Sequence, residues 1–349
     1  MSFLDSRLNF TGDYFIRDTE GMLGKSIVLP SVFGAKEPKE NCADLRTKGW
    51  ELSLGWNDSF ALMGKRFNYT VLATLGDNLT EITKYNNSEK KLTDYYEGMK
   101  LGEIWGYRVD GLFASDEEAA EYTSKINQDF VNARILSDKV EPYYRAGDLK
   151  FRDLDGDNII SKGDDTAYDA GDREIIGNET PRYMYSFRLG ADWNGIDLGI
   201  FFQGVGKRDW YPNYLSTGFW GPYSRAFTSF IPENFMDQCW SEENPGGYFP
   251  RFRGYQTFKD SQLGVNNDRY LQDASYIRLK NLTVGYTLPV LKKVFTKLRV
   301  YFTGENLWYW SPMKKYTKYI DPEAAGGNDN TGMAYNYSRN FSVGVDITF

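Results

Sequence analysis

The sequence predicts an all-β protein, an antiparallel transmembrane β-barrel, from three observations. Residues alternate in character over segments of about ten positions, aromatic residues sit near the ends of those segments, and the connections are short and long in turn. The alternation is plainest from 182 to 203. Tyr183, Tyr185, Phe187, Leu189, Ala191 and Trp193 share one face, and Arg182, Met184, Ser186, Arg188, Gly190 and Asp192 share the other. Asn194-Gly195 suits the positive φ values of a two-residue hairpin turn, after which Ile196, Leu198, Ile200 and Phe202 alternate with Asp197, Gly199, Phe201 and Gln203. A layer of a soluble sandwich shares such a pattern, but the arm length fits a membrane-crossing strand.

Composition narrows the chemistry. The chain has 349 residues, 17% of them aromatic, and 34 glycines. Low mean hydropathy combined with two-residue alternation is what a barrel shows, since only alternate side chains meet lipid, and no apolar run is long enough for a membrane helix. There is no histidine, which removes histidine general bases, Ser-His-Asp triads and histidine metal sites. Cys42 and Cys239 fit no metal spacing and are expected as packed or lipid-shielded thiols. The net charge of -7 comes without a basic stripe, so nucleic acid is not an expected partner. Residues 1–5 show no export signal, which for an exported protein implies a fragment.

In chain order, Leu8, Phe10, Gly12, Tyr14 and Ile16 mark a first strand ending near Gly21, followed by a loop to about Arg46. Trp50, Leu52, Leu54 and Trp56 mark a second, expected to turn over at Asn57, Asp58 and Ser59. Phe67, Tyr69, Val71, Ala73 and Leu75 mark a third, and 103 to 113 reads as one more, shorter strand. Ser115 with Glu118 three residues on, and acidic residues in the first turn, predicts a short helix. Beyond the hairpin, 205 to 270 is a long aromatic excursion, too long for an idle loop. Leu282, Val284, Tyr286 and Leu288 then mark a strand, as do Leu298, Val300 and Phe302, and a last one alternates from Tyr335 to Phe349. The short connections are 57 to 59, 194 to 195 and 289 to 297; the long ones are 21 to 45, 205 to 270 and 311 to 334. Outer-membrane barrels have this asymmetry, and roughly ten strands are expected.

Several blocks carry a family resemblance. Residues 147–157 (GDLKFRDLDGD), Ile176-Gly177-Asn178 with Pro181, Phe201-Phe202-Gln203-Gly204, residues 278–286 (RLKNLTVGY), Gly304-Glu305-Asn306-Leu307 and the terminal strand resemble, in order, the C-terminal barrel region of SusC/RagA-type TonB-dependent transporters. The resemblance implies about half of a 22-stranded, plugged barrel with long extracellular loops and a few short helices. It further implies import of glycans or peptides, a SusD-like surface lipoprotein over the mouth, outer-membrane lipid around the wall, and TonB as the source of energy. No plug and no TonB-binding segment is recognisable, so residues 1–349 are expected to be the C-terminal part of a receptor barrel. Phe349 resembles the terminal aromatic that outer-membrane assembly machinery reads.

Two regions are candidate sites. Asp153, Asp155, Asp157, Ile159 (through its carbonyl), Ser161 and Asp164 stand at positions 1, 3, 5, 7, 9 and 12 of an EF-hand-like loop, an oxygen set suited to Ca²⁺. Asn158 replaces the usual glycine at position 6 and Asp164 the usual glutamate at 12, but asparagine reaches the left-handed conformation the turn needs. The alternative is a solvated Asp/Gly turn. Trp210, Tyr214, Trp220, Tyr223, Trp240 and Tyr255 are the candidate substrate-binding residues, because aromatic faces beside polar groups suit sugars; against this, a long ordered loop must pack such rings on itself. Trp50, Trp56, Tyr183, Trp193 and Tyr286 read as interfacial girdles. Nothing resembles a hydrolase carboxylate pair, a Walker A loop, a dinucleotide fingerprint or a nucleophile elbow, so no enzymatic activity is expected. The importer competes with two rivals, a secreted all-β carbohydrate-binding module and a passive outer-membrane barrel.

Overall fold

The computed structural model describes residues 2–25, 34, 38–132, 143–225, 227, 229, 231, 233–258, 261–289, 296–326 and 335–349. One antiparallel sheet carries the chain. Its strands are β1 (Ser2–Phe3), β2 (Leu8–Lys25), β3 (Lys39–Leu62), β4 (Lys65–Lys84), and, further along, β9 (Arg182–Trp193), β10 (Ile196–Lys207), β13 (Tyr276–Leu288), β14 (Lys297–Trp310) and β15 (Asn340–Thr348). They lie side by side in chain order, with β1 and β15 as its two edges. This is the open wall of an up-and-down barrel.

Pairing registers show why the alternation specifies it. Val71, Leu189, Ile200 and Leu282 are directly opposite across β4, β9, β10 and β13, and so are Leu198, Val284, Phe302 and Val343 from β10 to β15. One apolar face therefore runs unbroken across the wall. A one-residue slip would turn every side chain to the wrong side, so the pattern fixes the register. Near the short turns the face ends in aromatics: Phe60 and Phe67 lie 5.0 Å apart, the Trp56 indole donates to the Tyr69 hydroxyl at 3.0 Å, and the Trp193 indole donates to the Leu62 carbonyl at 3.2 Å.

The opposite face is polar. Arg299 on β14 makes a two-pronged ion pair with Asp197 on β10, at 2.8 and 2.6 Å, and holds Asp346 on β15 at 2.9 Å. To reach Asp197 it crosses β13 over Gly285, where a Cβ would stand 2.5 Å from Asp197 and 2.6 Å from Arg299. The glycine is the crossing point.

Strands run longer than the alternation suggests. The first continues to Lys25 and its partner begins at Lys39, so much of the expected 21 to 45 loop is paired strand. The expected turn at 57 to 59 is overturned: Asn57, Asp58 and Ser59 pair with Thr70, Tyr69 and Asn68, and the chain reverses at Met63-Gly64, both at positive φ. Polar residues there sit on a paired strand because the β4 ladder continues unbroken through them to Leu62 and Lys65, and turn propensity loses. Asn194-Gly195 turns as expected, with φ of 51° and 86°. The expected 289 to 297 connection falls largely outside the described residues, and 335–339 lie outside strand β15.

All the long excursions leave from one end of the wall, and they fold together into a cap. The first holds β5 (Glu103–Tyr107), β6 (Val109–Leu112), α1 (Asp116–Thr123), β7 (Leu149–Phe151) and β8 (Arg173–Asn178); the second holds β11 (Asp209–Trp210), α2 (Thr217–Trp220) and β12 (Gln272–Asp273). The segment 103 to 113, expected as a wall strand, is instead β5 and β6, paired with β8 and β7 in separate two-stranded sheets; the wall accordingly holds eight long strands beside the two-residue β1. The helix forms where expected, with the Ser115 hydroxyl accepting from the Glu118 N–H at 3.2 Å.

A cationic substitution at Leu282, in the middle of the apolar face, should destabilise the wall by about 2–4 kcal/mol in lipid, whereas Thr283→Arg on the polar face should cost far less. Urea unfolding of the two variants in vesicles, followed by tryptophan fluorescence, checks the contrast.

Candidate functional site

The cap owns the hydrophobic core. Ile104, Leu149 and Phe151 from the first excursion, Trp210, Trp220 and Phe249 from the second, and Met313 and Ile320 from the segment after β14 are all buried in one cluster. Wall strands bury little, because the wall is a single sheet layer and both of its faces are largely open. Any packed core must come from the excursions.

That requirement settles the surroundings of the aromatic candidates. Trp220 is fully buried; its indole donates to the Asn213 carbonyl at 3.1 Å and its ring meets those of Phe219 and Tyr270 at 4.7 and 5.3 Å. Tyr223 is also fully buried, its hydroxyl donating to the Pro250 carbonyl, and Trp210 packs edge-on to Phe219 with 1% of its surface exposed. These three have no face to offer a ligand in this conformation. Trp240 is half-buried over Gly147, Tyr255 is half-buried beside Phe258, and Tyr214 is 42% exposed. The six do not form one surface.

Electrostatics tie the excursions together. Asp148, fully buried, holds Arg251 at 2.9 Å and Arg253 at 3.4 Å, joining the first excursion to the second. Burial pushes its carboxyl up to about 6, against the pull of Arg251. The buried Arg278 of β13 pairs with Asp321 and lies 4.7 Å from the Tyr309 ring, fastening the third segment to the wall. The Tyr248 and Tyr316 rings stack at 3.5 Å across the second and third.

The acidic loop is organised by its own side chains. Asp153 accepts from the N–H groups of Gly156 and Asn158 at 2.7 and 2.9 Å, Asp155 from Asp157 at 3.1 Å, and Asp157 from Ile159 at 2.6 Å. Asn158 is left-handed, φ 68°, as its place in the loop requires. Among the described residues one group of carboxylates converges, with ligand atoms within 4.8 Å: Asp153, Asp155 and Asp172. Asp157 and Asp164 stand outside it, the Asp164 N–H donates to Asp169 at 3.2 Å, and the Ser161 hydroxyl accepts from Gly163 at 3.1 Å. The physical reason is the exit of the loop. Ile160 is buried in the cap, with its N–H bonded to the Asn127 carbonyl at 2.7 Å, so no second helix returns position 12 to the centre. Asp172 fills that place, accepting from Leu154 at 2.7 Å and from Ser161 at 2.8 Å.

Asp172 lies outside the twelve-residue window, and no spacing rule points to it. It is fully buried, and burial together with the nearby Asp155 and Asp153 charges holds its carboxyl above the ordinary value. None of the ion pairs among the described residues involves these three carboxylates. An all-oxygen set with uncompensated negative charge fits a hard cation such as Ca²⁺.

Comparison with known proteins places the chain. No protein-family model matches it. TonB-dependent receptor P3 of Formosa agariphila is 27% identical over 378 aligned residues, which cover 100% of this chain and 33% of that protein. TonB-dependent receptor SusC of Bacteroides thetaiotaomicron is 24% identical, covering 99% of this chain and 31% of its own length. The structure of the RagAB peptide transporter superposes with a TM-score of 0.67 at 21% identity, over 99% of this chain and 34% of that one. This chain is similar, end to end, to the C-terminal portion of SusC-like TonB-dependent receptors. It spans about a third of the length of the curated relatives it matches. The likeness to the RagAB structure gives the wall its place in a large barrel.

Trp220→Ala should cost about 3–5 kcal/mol of cap stability, as deletion of a fully buried indole does, while Tyr214→Ala should leave the cap intact. Limited proteolysis of the cap with increasing urea measures both; equal resistance in the two variants would contradict the packing role of Trp220.

Proposed function

We propose that this chain forms the C-terminal part of the barrel of an outer-membrane nutrient importer energised through TonB, and that it has no enzymatic activity. The observation that carries the reading is the unbroken apolar face across the long strands, backed by a polar face and topped by a packed cap at one end. Lipid surrounds the first, substrate passes along the second, and the cap sets the entrance. The alignment of this whole chain with about a third of receptors named TonB-dependent supports energised import over a passive barrel. On this reading, residues 1–349 supply wall and cap, while a plug and the contact with TonB come from other parts of the receptor. A SusD-like lipoprotein seats on the cap, as the likeness to SusC suggests, and the cargo is an oligosaccharide or a short peptide.

Cells making the full-length receptor should take up an oligosaccharide or peptide mixture, with uptake collapsing when a protonophore or loss of TonB removes the energy source. Uptake that persists in de-energised cells identifies a passive barrel. Recovery of the protein from the medium, soluble without detergent, identifies the secreted carbohydrate-binding module.

We also propose a Ca²⁺ site at Asp153, Asp155 and Asp172, with a structural role: the cation would neutralise three converging carboxylates and hold the loop against the cap. Asp157, Ser161, Asp164 and the Ile159 carbonyl, part of the same loop, would serve through its shape or through water. Titration calorimetry should show Ca²⁺ heat in the native protein, none after Asp172→Asn, and none after Asp155→Ala with Asp157→Ala. Absence of heat in the native protein removes the calcium reading.

A further inference from the structure

Two adjoining lobes of about 530 and 470 Å³ form a groove at the base of the cap, sharing Trp105, Arg173, Gly264 and Asn266 as their common wall. Each lobe falls within the size range of ligand sites. The groove lies at the rim of the wall. Met99 and Leu101 beside it are hydrogen-bonded through their backbones to Ile82 and Thr80 at the end of β4, and Tyr211 and Tyr214 follow directly on β11.

The lobes differ in the charges they do not share: Lys162 and Asp165 line the first alone, Glu103 and Glu179 the second alone, and Arg173 lies on their common wall. In the first lobe Lys162 and Arg173 share one carboxylate, Asp165, at 3.6 and 2.7 Å, which leaves an excess positive charge. In the second lobe Glu103 is occupied by the Tyr96 hydroxyl at 2.7 Å and the Lys100 N–H at 2.9 Å. Glu179 in that lobe is exposed and enters no ion pair among the described residues; Arg208 reaches its backbone carbonyl at 3.2 Å. Trp105, half-buried, stands between the two ends.

We infer that this groove binds a short peptide by its two termini, the carboxylate at Lys162 and Arg173 and the ammonium at Glu179, with the Trp105 ring beneath the chain between them. The inference rests on the import reading and names the class of its cargo. A neutral oligosaccharide would leave both ends uncompensated while displacing their water, which costs free energy without return; a zwitterion complements both. Asn266 fixes the groove floor, its side-chain amide donating to the Trp105 carbonyl at 3.2 Å and its own carbonyl accepting from Tyr107 at 2.9 Å.

The test uses the full-length receptor in detergent, equilibrium dialysis against a random tetrapeptide pool with free termini, and mass-spectrometric readout. The same pool N-acetylated, C-amidated or both, and maltotetraose, serve as comparisons. Retention of the free pool should exceed that of the doubly capped pool by about tenfold or more, consistent with loss of charge complementarity. Lys162→Gln should abolish the effect of amidation alone, and Glu179→Gln the effect of acetylation alone. Both side chains are exposed, so folding should survive, and the heat-dependent gel mobility of the barrel monitors it. Equal retention of free and capped pools, stronger retention of maltotetraose, or indifference to both substitutions overturns the proposal. Any of these leaves the import reading standing, because energised uptake in cells tests that separately.

Discussion

The constraint on which everything else depends is that a backbone must satisfy its hydrogen bonds within the protein wherever water is kept away from it. A β-sheet does this only through its neighbours, so the strands between β1 and β15 are each paired with two others, and their side chains divide between two unlike faces. The Val71, Leu189, Ile200 and Leu282 row and the Asp197, Arg299 and Asp346 network are two sides of the same requirement. A wall built in this way has little interior of its own.

The cap follows from that lack. Its long excursions are rich in large aromatics that the wall has no room to bury, and they pack on one another, with Trp220, Tyr270 and Phe249 near the centre. Charges fasten the parts where ring packing alone would leave them free to slide: Asp148 between the first and second excursions, Arg278 and Asp321 between the third and the wall. The acidic loop at 153 to 172 belongs to this scheme. It closes on Asp172 and hands Lys162, Asp165 and Arg173 to the groove beneath. A loop that looks like a metal motif thus also shapes the charged end of a cavity.

Much of the wall was legible in the sequence because its determinants are local. Period-two alternation and the Asn194-Gly195 turn each depend on residues a few positions apart, as does the Ser115 N-cap of the helix beyond the wall. The misread places share a different cause. Asn57, Asp58 and Ser59 have turn chemistry but are held in strand by β4, and 103 to 113 looks like a wall strand but pairs with partners some seventy and forty residues on. The candidate sites were less legible still. Of the aromatic set, Trp210, Trp220 and Tyr223 are core, and the Trp105 groove has no sequence signature because its residues come from five separate stretches of chain.

The sequence by itself determined the alternating faces, hence the class of fold and the surroundings each face requires, since side-chain direction in a strand is set by position parity. Tertiary structure decided which aromatics are buried, that Asp172 joins Asp153 and Asp155, and that opposite charges flank Trp105. The physical reason is range. Parity acts between neighbours along one strand, whereas a core, a cluster of carboxylates or a groove exists only after excursions far apart in the chain have been brought together by the order of the strands that carry them.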